Sequence, residues 1–306
     1  AAVIAGCQST SNVLTREMFG IPLGGTHAHS WVMNFPSEIE AFRAYARVYP
    51  DCALLLVDTY DTLKSGVPNA IKVFDEMRAE GKKPLGIRID SGDLDYLTKM
   101  LDDAGYPDTI ICASGDLDER LIQSLKLQGA CINSWGIGTK LITSADMPAL
   151  GGVYKLAAVE EDGKSVPKIK VSDNSAKITN PGFKTIYRIY DGATGKAEAD
   201  VVALRGEKID FSKPLTLYHP VERWKKITFE NYTVKELPVT IVKDGKLVYD
   251  MPTLKEISAY AKEEKESFWD EYKRLDQPHI YKVDLSDELY ALKTEMLEKI
   301  RRGESL

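Results

Sequence analysis

Between residues 53 and 139 the chain repeats one local pattern, and that pattern limits the folds open to it. A short unbroken apolar run ends in a polar cluster, and a stretch with helical spacing follows. ALLLV at 53–57 ends at Asp58 and precedes 67–80, where Val67, Ala70, Ile71, Phe74 and Met77 recur at helical intervals. PLGIRI at 84–89 ends at Asp90-Ser91-Gly92-Asp93 and precedes a helix predicted over 94–104. TIICA at 109–113 ends at Ser114-Gly115-Asp116 and precedes a helix predicted over 117–127. A fourth run, 130–133, leads to Trp135-Gly136-Ile137-Gly138-Thr139. Apolar runs without alternation suit strands buried on both faces, hence a parallel sheet with helical crossovers. The small, regular unit favours an α/β barrel over an open sheet.

After Gly151 the texture changes. VYKLAAV, KIKVS, TIYRIYD and DVVAL read as strands, with turn signals at Asp162-Gly163, Asn180-Pro181-Gly182 and Asp191-Gly192. The expected organisation is an α/β barrel portion over 1–150, an antiparallel β-rich layer over 151–205, and a mixed segment over 206–306. Charged helices are predicted there over 254–274 and 285–301. The opening AAVIAG reads like the middle of a helix and suggests a piece of a longer chain.

Composition removes several classes of function. The 306 residues are 43% hydrophobic and carry a net charge of -6, so no global basic field draws nucleic acid or anionic lipid. No apolar run reaches membrane-spanning length and no signal peptide is visible, which makes the cytoplasm the default location. Cys7, Cys52, Cys112 and Cys131 form no CxxC pair, and three of them lie in or beside apolar runs; buried, reduced thiols are expected.

Active sites of barrels form at the C-terminal ends of the strands. Four polar clusters are expected at such ends: Thr26–His29, Asp58–Asp61, Arg88–Asp93, and Ser114–Asp116 together with Gly136–Thr139. One acidic strand end is common, but four in successive units suggest one site assembled from several loops. Gly136-Ile137-Gly138-Thr139 alone reads as a tight turn. Paired with Ser114-Gly115-Asp116 on the preceding strand, it points to backbone amides cradling a phosphate. Arg88 and Asp90 are two apart on a strand and share a face. Arg88 could present its planar fork to a ligand carboxylate or pair internally with Asp90, and the residues leave both readings open. Asp58, Asp61, Asp90 and Asp93 could hold Mg²⁺ or ribose hydroxyls, and at least one of Asp61 and Asp93 is expected to cap a helix instead.

Two of the four histidines, His27 and His29, follow Gly24-Gly25. A metal-binding pair on a helix would be four apart, and no third ligand is evident. A histidine beside a Gly/Thr turn at a barrel mouth is well placed to meet substrate. The role of His27 stays open between a partner behind the site and a surface residue.

The set GTHAHSW, VDTYDT, RIDSGD, SGD and WGIGT, in this order, closely resembles nicotinate phosphoribosyltransferase, and KITNPGFK and YKVDLSDEL extend the likeness along the chain. The resemblance implies a type II phosphoribosyltransferase barrel. It implies attack of nicotinate on C1 of phosphoribosyl pyrophosphate (PRPP), with ATP hydrolysis coupled through a phosphohistidine, in NAD biosynthesis. The pattern GTxxH maps the phosphorylated residue to His29. Thr26, Ser30 and Arg88 map to the nicotinate site, with Arg88 at the carboxylate, and Asp90 lies close to the ribose. Ser114, Gly115, Asp116, Gly136, Gly138 and Thr139 map to the 5′-phosphate. Mg²⁺ accompanies PRPP and ATP, and Asp58, Asp61 and Asp93 are its candidate ligands. The family's pattern also implies a homodimer, and a preceding sandwich domain and first barrel strand that have no match here, so that a separate N-terminal segment could complete the fold. A nicotinamide-using relative and a non-catalytic phosphate- or nucleotide-binding fragment are the alternatives.

Overall fold

The computed structural model describes every residue except 91–93, 175–176, 221, 223 and 306, and the backbone only at 94–96. The chain divides into two units, Ala1–Leu150 and Gly151–Leu306.

In the first unit the predicted alternation is present. Strands β1 (Leu54–Leu56), β2 (Gly86–Ile89), β3 (Ile110–Ala113) and β4 (Ser134–Trp135) form one all-parallel sheet in the order β1-β2-β3-β4. Helices α1 (Val13–Phe19), α2 (His29–Met33) and α3 (Glu38–Val48) precede it. Helices α4 (Val67–Ala79), α5 (Leu94–Asp103), α6 (Glu119–Leu127) and α7 (Thr139–Ile142) follow the strands in turn. All three residues of β1 are buried, and the apolar faces of α3 (Ala41, Phe42, Tyr45) and α4 (Val73, Phe74, Met77) complete the core. Fully burying one such aliphatic or aromatic side chain contributes about 1.5–3 kcal/mol, so this layer is the unit's main source of stability.

Several local expectations differ. The opening AAVIAG is a set of turns, closed by bonds such as Ala5 N–H to the Ala1 carbonyl at 3.0 Å. The fourth strand forms at Ser134–Trp135 and not over 130–133. Ala130 N–H instead closes the end of α6 on the Leu125 carbonyl, and Asn133 Oδ1 takes the Ile111 N–H at 2.9 Å, so a side chain fills a place the ladder would hold. Thr26–His29 does not end a strand; only an isolated bridge, Thr10 to Leu23, precedes it. Cys112 is buried on β3, but Cys52 and Cys131 are exposed and Cys7 half-buried. Cys52 and Cys131 lie in the loops that lead into strands and not in the apolar runs themselves. All four are free thiols.

The second unit centres on a six-stranded mixed sheet, β10-β9-β14-β8-β7-β11. Its members are β7 (Lys184–Asp191), β8 (Ala197–Leu204), β9 (Leu215–Tyr218), β10 (Lys226–Phe229), β11 (Tyr232–Glu236) and β14 (Lys282–Leu285). Strands from both sides of residue 205 share this sheet. Hairpins β5–β6 (Ala158–Glu161, Lys164–Pro167) and β12–β13 (Val242–Lys243, Lys246–Leu247) are separate. KIKVS forms no strand, because Lys168 N–H reaches the Ala157 carbonyl and Lys170 N–H the Thr179 hydroxyl. The helix predicted over 254–274 stops at Ser267: α8 (Leu254–Ser267) starts on a Thr253–Glu256 capping box and ends where Phe268 turns extended. The segment before the last helix becomes β14, parallel to β8, and Ser286 then caps α9 (Asp287–Arg301).

Candidate active site

Parallel register brings the polar clusters to one edge. Leu56 pairs with Arg88, Ile89 with Ala113, and Ala113 with Trp135, so Asp58, Asp90, Ser114 and Gly136 emerge at the same end of adjacent strands. Where the ladder stops, a side chain continues it: Asp90 N–H donates to Asp58 Oδ2 at 2.8 Å. Ser114 N–H still reaches the Ile89 carbonyl at 2.9 Å, and Gly136 N–H the Ala113 carbonyl at 2.8 Å. Gly115 turns the chain away with φ of +90°. A Cβ there would lie 2.5 Å from the Asp90 carbonyl oxygen, so only glycine fits.

The two histidines part company. His27 is buried against Phe42 and Tyr45, with ring centroids 6.0 Å and 4.6 Å away. Its Nε2 accepts the Leu56 N–H at 3.1 Å, which places the ring proton on Nδ1. That nitrogen has no hydrogen-bond partner among the described residues. Burial lowers the imidazole from its ordinary 6.5 to about 4, so His27 is a neutral structural acceptor at physiological pH. His29 begins α2 and stands half-exposed over the strand ends. Its Nδ1 lies 3.0 Å from the Thr59 hydroxyl, and its Nε2 lies 3.5 Å from Asp90 Oδ2 and 3.9 Å from Asp58 Oδ1.

Arg88 completes the cluster. Its Nε donates to Ser114 Oγ at 2.7 Å, and its Nη2 donates to Asp90 Oδ1 at 3.0 Å and to Oδ2 at 3.3 Å. Ser114 Oγ also donates to Asp90 Oδ1. Partial burial alone would raise the Asp90 carboxyl; the Ser114 hydroxyl and the Arg88 guanidinium outweigh it and hold the group below the usual carboxylate range. Asp90 is therefore an anion at neutral pH, framed by the Arg88 guanidinium and the His29 ring.

Other candidates take different places. The Thr26 hydroxyl donates to the His27 carbonyl at 2.9 Å, and Ser30 is exposed. Asp116 and Gly138 are exposed on the loops after β3 and β4, and Thr139 is exposed at the start of α7. Asp61 accepts the N–H groups of Leu63 and Lys64 and caps the π-helical turn Thr62–Gly66. Asp93 lies outside the described residues. Among those residues no group of three or more His, Cys, Asp or Glu is arranged to hold a metal ion. Thr59 is the site residue that residue patterns did not single out. Its signal was present, since it stands between Asp58 and Tyr60 in the second polar cluster.

The profile described as the nicotinate phosphoribosyltransferase C-terminal domain matches residues 183–293. Nicotinate phosphoribosyltransferase of Bacillus subtilis is 45% identical over 98% of this chain and 62% of its own length. Along nearly its whole length the chain is similar to nicotinate phosphoribosyltransferases. The Dictyostelium discoideum nicotinate phosphoribosyltransferase is 35% identical over 94% of the chain and 58% of its own length. The crystal structure of human nicotinic acid phosphoribosyltransferase superposes with a TM-score of 0.79 at 26% identity, over 96% of this chain and 66% of that one. The chain thus spans about three-fifths of the length of these curated nicotinate phosphoribosyltransferases. The matched profile lies within the second unit, beginning one residue before β7 and ending within α9, whereas the likeness to the Bacillus subtilis protein, over 98% of the chain, takes in both units.

Proposed function

We propose that this chain forms the catalytic portion of an enzyme of NAD biosynthesis that joins nicotinate to PRPP with coupled ATP hydrolysis. The observation that carries the reading is Arg88, whose guanidinium already grips a carboxylate beside His29 at the ends of adjacent parallel strands. A nicotinate carboxylate offers the same two-oxygen partner as Asp90. When it takes the guanidinium, Asp90 is released toward the ribose. The pyridine nitrogen of nicotinate forms the new bond to C1 while the bond from C1 to the pyrophosphate oxygen breaks and pyrophosphate leaves. Asp90 and Asp58 stabilise the positive charge that develops at C1.

In the coupled step the His29 imidazole takes the γ-phosphoryl group of ATP: an N–P bond forms, the bond to the β-phosphate oxygen breaks, and ADP leaves. Water later accepts the phosphoryl group and phosphate is released. A phosphoryl group there adds roughly two negative charges beside Asp58 and Asp90. Mg²⁺ enters as the Mg–PRPP and Mg–ATP complexes, for which one or two carboxylates and the substrate phosphates suffice. On this reading β1–β4 are four neighbouring staves of an α/β barrel, Ser114–Asp116 and Gly136–Thr139 cradle the 5′-phosphate, and the protein works as a homodimer.

The test is turnover of PRPP with nicotinate or nicotinamide, scored for pyrophosphate and ADP, alongside labelling with γ-labelled ATP. Pyrophosphate release with nicotinate, and acid-labile label lost in His29→Ala, are expected. Turnover with nicotinamide alone would overturn the role of Arg88, and label that survives in His29→Ala would overturn the phosphohistidine. A chain that binds PRPP yet turns over neither base would be a phosphate-binding fragment.

A further inference from the structure

The turn Asn180–Lys184 gathers positive charge that is paired with no carboxylate among the described residues. Lys184 Nζ donates to the Asn180 carbonyl at 2.8 Å and to the Gly182 carbonyl at 2.6 Å. Lys293, from α9, donates to Asn180 Oδ1 at 2.8 Å. Two ammonium groups thus meet on one asparagine, and every partner they have is a neutral oxygen. Burial lowers both amines below the usual lysine range. An ammonium group has three N–H donors, so Lys184 keeps one in hand and Lys293 two. Partly buried charge without a counter-ion is costly, and a bound anion removes that cost.

A cavity of about 350 Å³ opens beside Lys184. Lys184, Gly182 and Phe183 form one wall, and the segment from Tyr154 to Ala158 forms the other. Lys155 and Lys184 line it, and no carboxylate does. The Arg205 guanidinium stacks on the Phe183 ring at 4.6 Å and adds a further cation to that wall. The cavity of similar size between Arg78 and Thr109 in the first unit is a weaker candidate, since Asp108 lines it and its Lys82 is paired with Glu80 at 2.6 Å.

We infer that the cavity beside Asn180 binds a small oxyanion of the phosphate class, gripped by Lys184 and held in the field of Lys293. A compact ammonium is suited to such a ligand as a point charge, without the planar matching that an arginine demands. The inference stands on this geometry alone and does not depend on the transfer reaction proposed above.

The test is titration calorimetry and thermal melting with inorganic phosphate, pyrophosphate and AMP at constant ionic strength, with Thr139→Glu as background to repel phosphate from the loops at Ser114–Asp116 and Gly136–Thr139. In that background phosphate is expected to raise the melting temperature. Lys184→Met should weaken binding roughly tenfold, the loss of one charge-assisted hydrogen bond. Asn180→Asp supplies the missing anion internally. It should melt higher than its parent without phosphate and respond to phosphate no longer. Tighter binding of AMP than of phosphate would mark a nucleotide phosphate as the ligand, and equal binding a free oxyanion. A phosphate response that persists unchanged in Lys184→Met and Asn180→Asp, or that sodium chloride reproduces, would overturn the site.

Discussion

The Nδ1 of His29 lies 3.0 Å from the hydroxyl of Thr59. This contact sets the ring's orientation over the strand ends, because Nε2 is then turned toward Asp90 and Asp58. Thr59→Val keeps the shape and removes the hydroxyl. Phosphorylation of His29 is expected to slow about fivefold to tenfold, the worth of one net hydrogen bond, while Thr59→Ser stays near wild type. Single-turnover labelling with γ-labelled ATP measures this, and equal rates for Val and Ser would remove Thr59 from the mechanism.

Arg88 divides its donors between Ser114 and Asp90. Lysine at this position retains the charge and loses the fork. Arg88→Lys should raise KM for nicotinate roughly thirtyfold, about 2 kcal/mol, and change kcat much less. Steady-state kinetics with nicotinate varied at saturating PRPP gives the split; a fall in kcat at constant KM would place Arg88 on the transition state and not on the carboxylate.

His27 makes stability depend on pH. Its imidazole titrates near 4 when folded and near 6.5 when free, so the unfolded chain binds the extra proton between those values. Stability from this group is complete above pH 6.5 and declines as pH falls toward 4, by about 3 kcal/mol at most. His27→Gln leaves an acceptor for the Leu56 N–H and cannot titrate. Its melting temperature should fall less steeply than wild type between pH 6.5 and 4.5. Parallel curves would show that another group carries the dependence.

In the second unit, Arg188 binds Asp200 through two bonds, at 2.8 and 3.0 Å, and Glu264 of α8 through a third at 3.0 Å. Tyr281 donates to the same Asp200 at 3.0 Å. Removing the guanidinium leaves the partly buried Asp200 carboxylate without its cation, while Glu264 keeps Lys235 at 2.5 Å. Arg188→Met should cost about 3–5 kcal/mol of unfolding free energy. Arg188→Met combined with Asp200→Asn should recover part of that loss, since an amide carries no charge to strand. Denaturant unfolding decides it; an equal or larger loss in the double variant would show that lost packing, and not the stranded charge, dominates.

Much of the first unit was legible in the sequence. Apolar runs buried on both faces need no partner to be recognised, so β1, β2 and β3 fall inside the predicted stretches. Asp58, Arg88, Asp90 and Ser114 stand out in the sequence as parallel strand ends and His29 mostly through the resemblance, and the structure brings each of the five within a few ångströms of another. Asn133 and the segment KIKVS were not legible in the same way. Their side chains and amides take bonds outside any ladder, and apolar content says nothing about which acceptor lies opposite. The place of Lys282–Leu285 inside the second sheet depends on β8, some eighty residues earlier in the chain.

The sequence by itself determined where polar residues cluster and that strands would present several of them at one edge, because hydrophobic periodicity and strand polarity are local properties. Tertiary structure alone decided that His27 turns inward and His29 outward, that Thr59 holds the ring, and that Arg88 rests on Asp90. Those outcomes depend on register between strands and on which lone pairs remain unmet once the backbone has paired, and neither is written in the spacing of one chain segment.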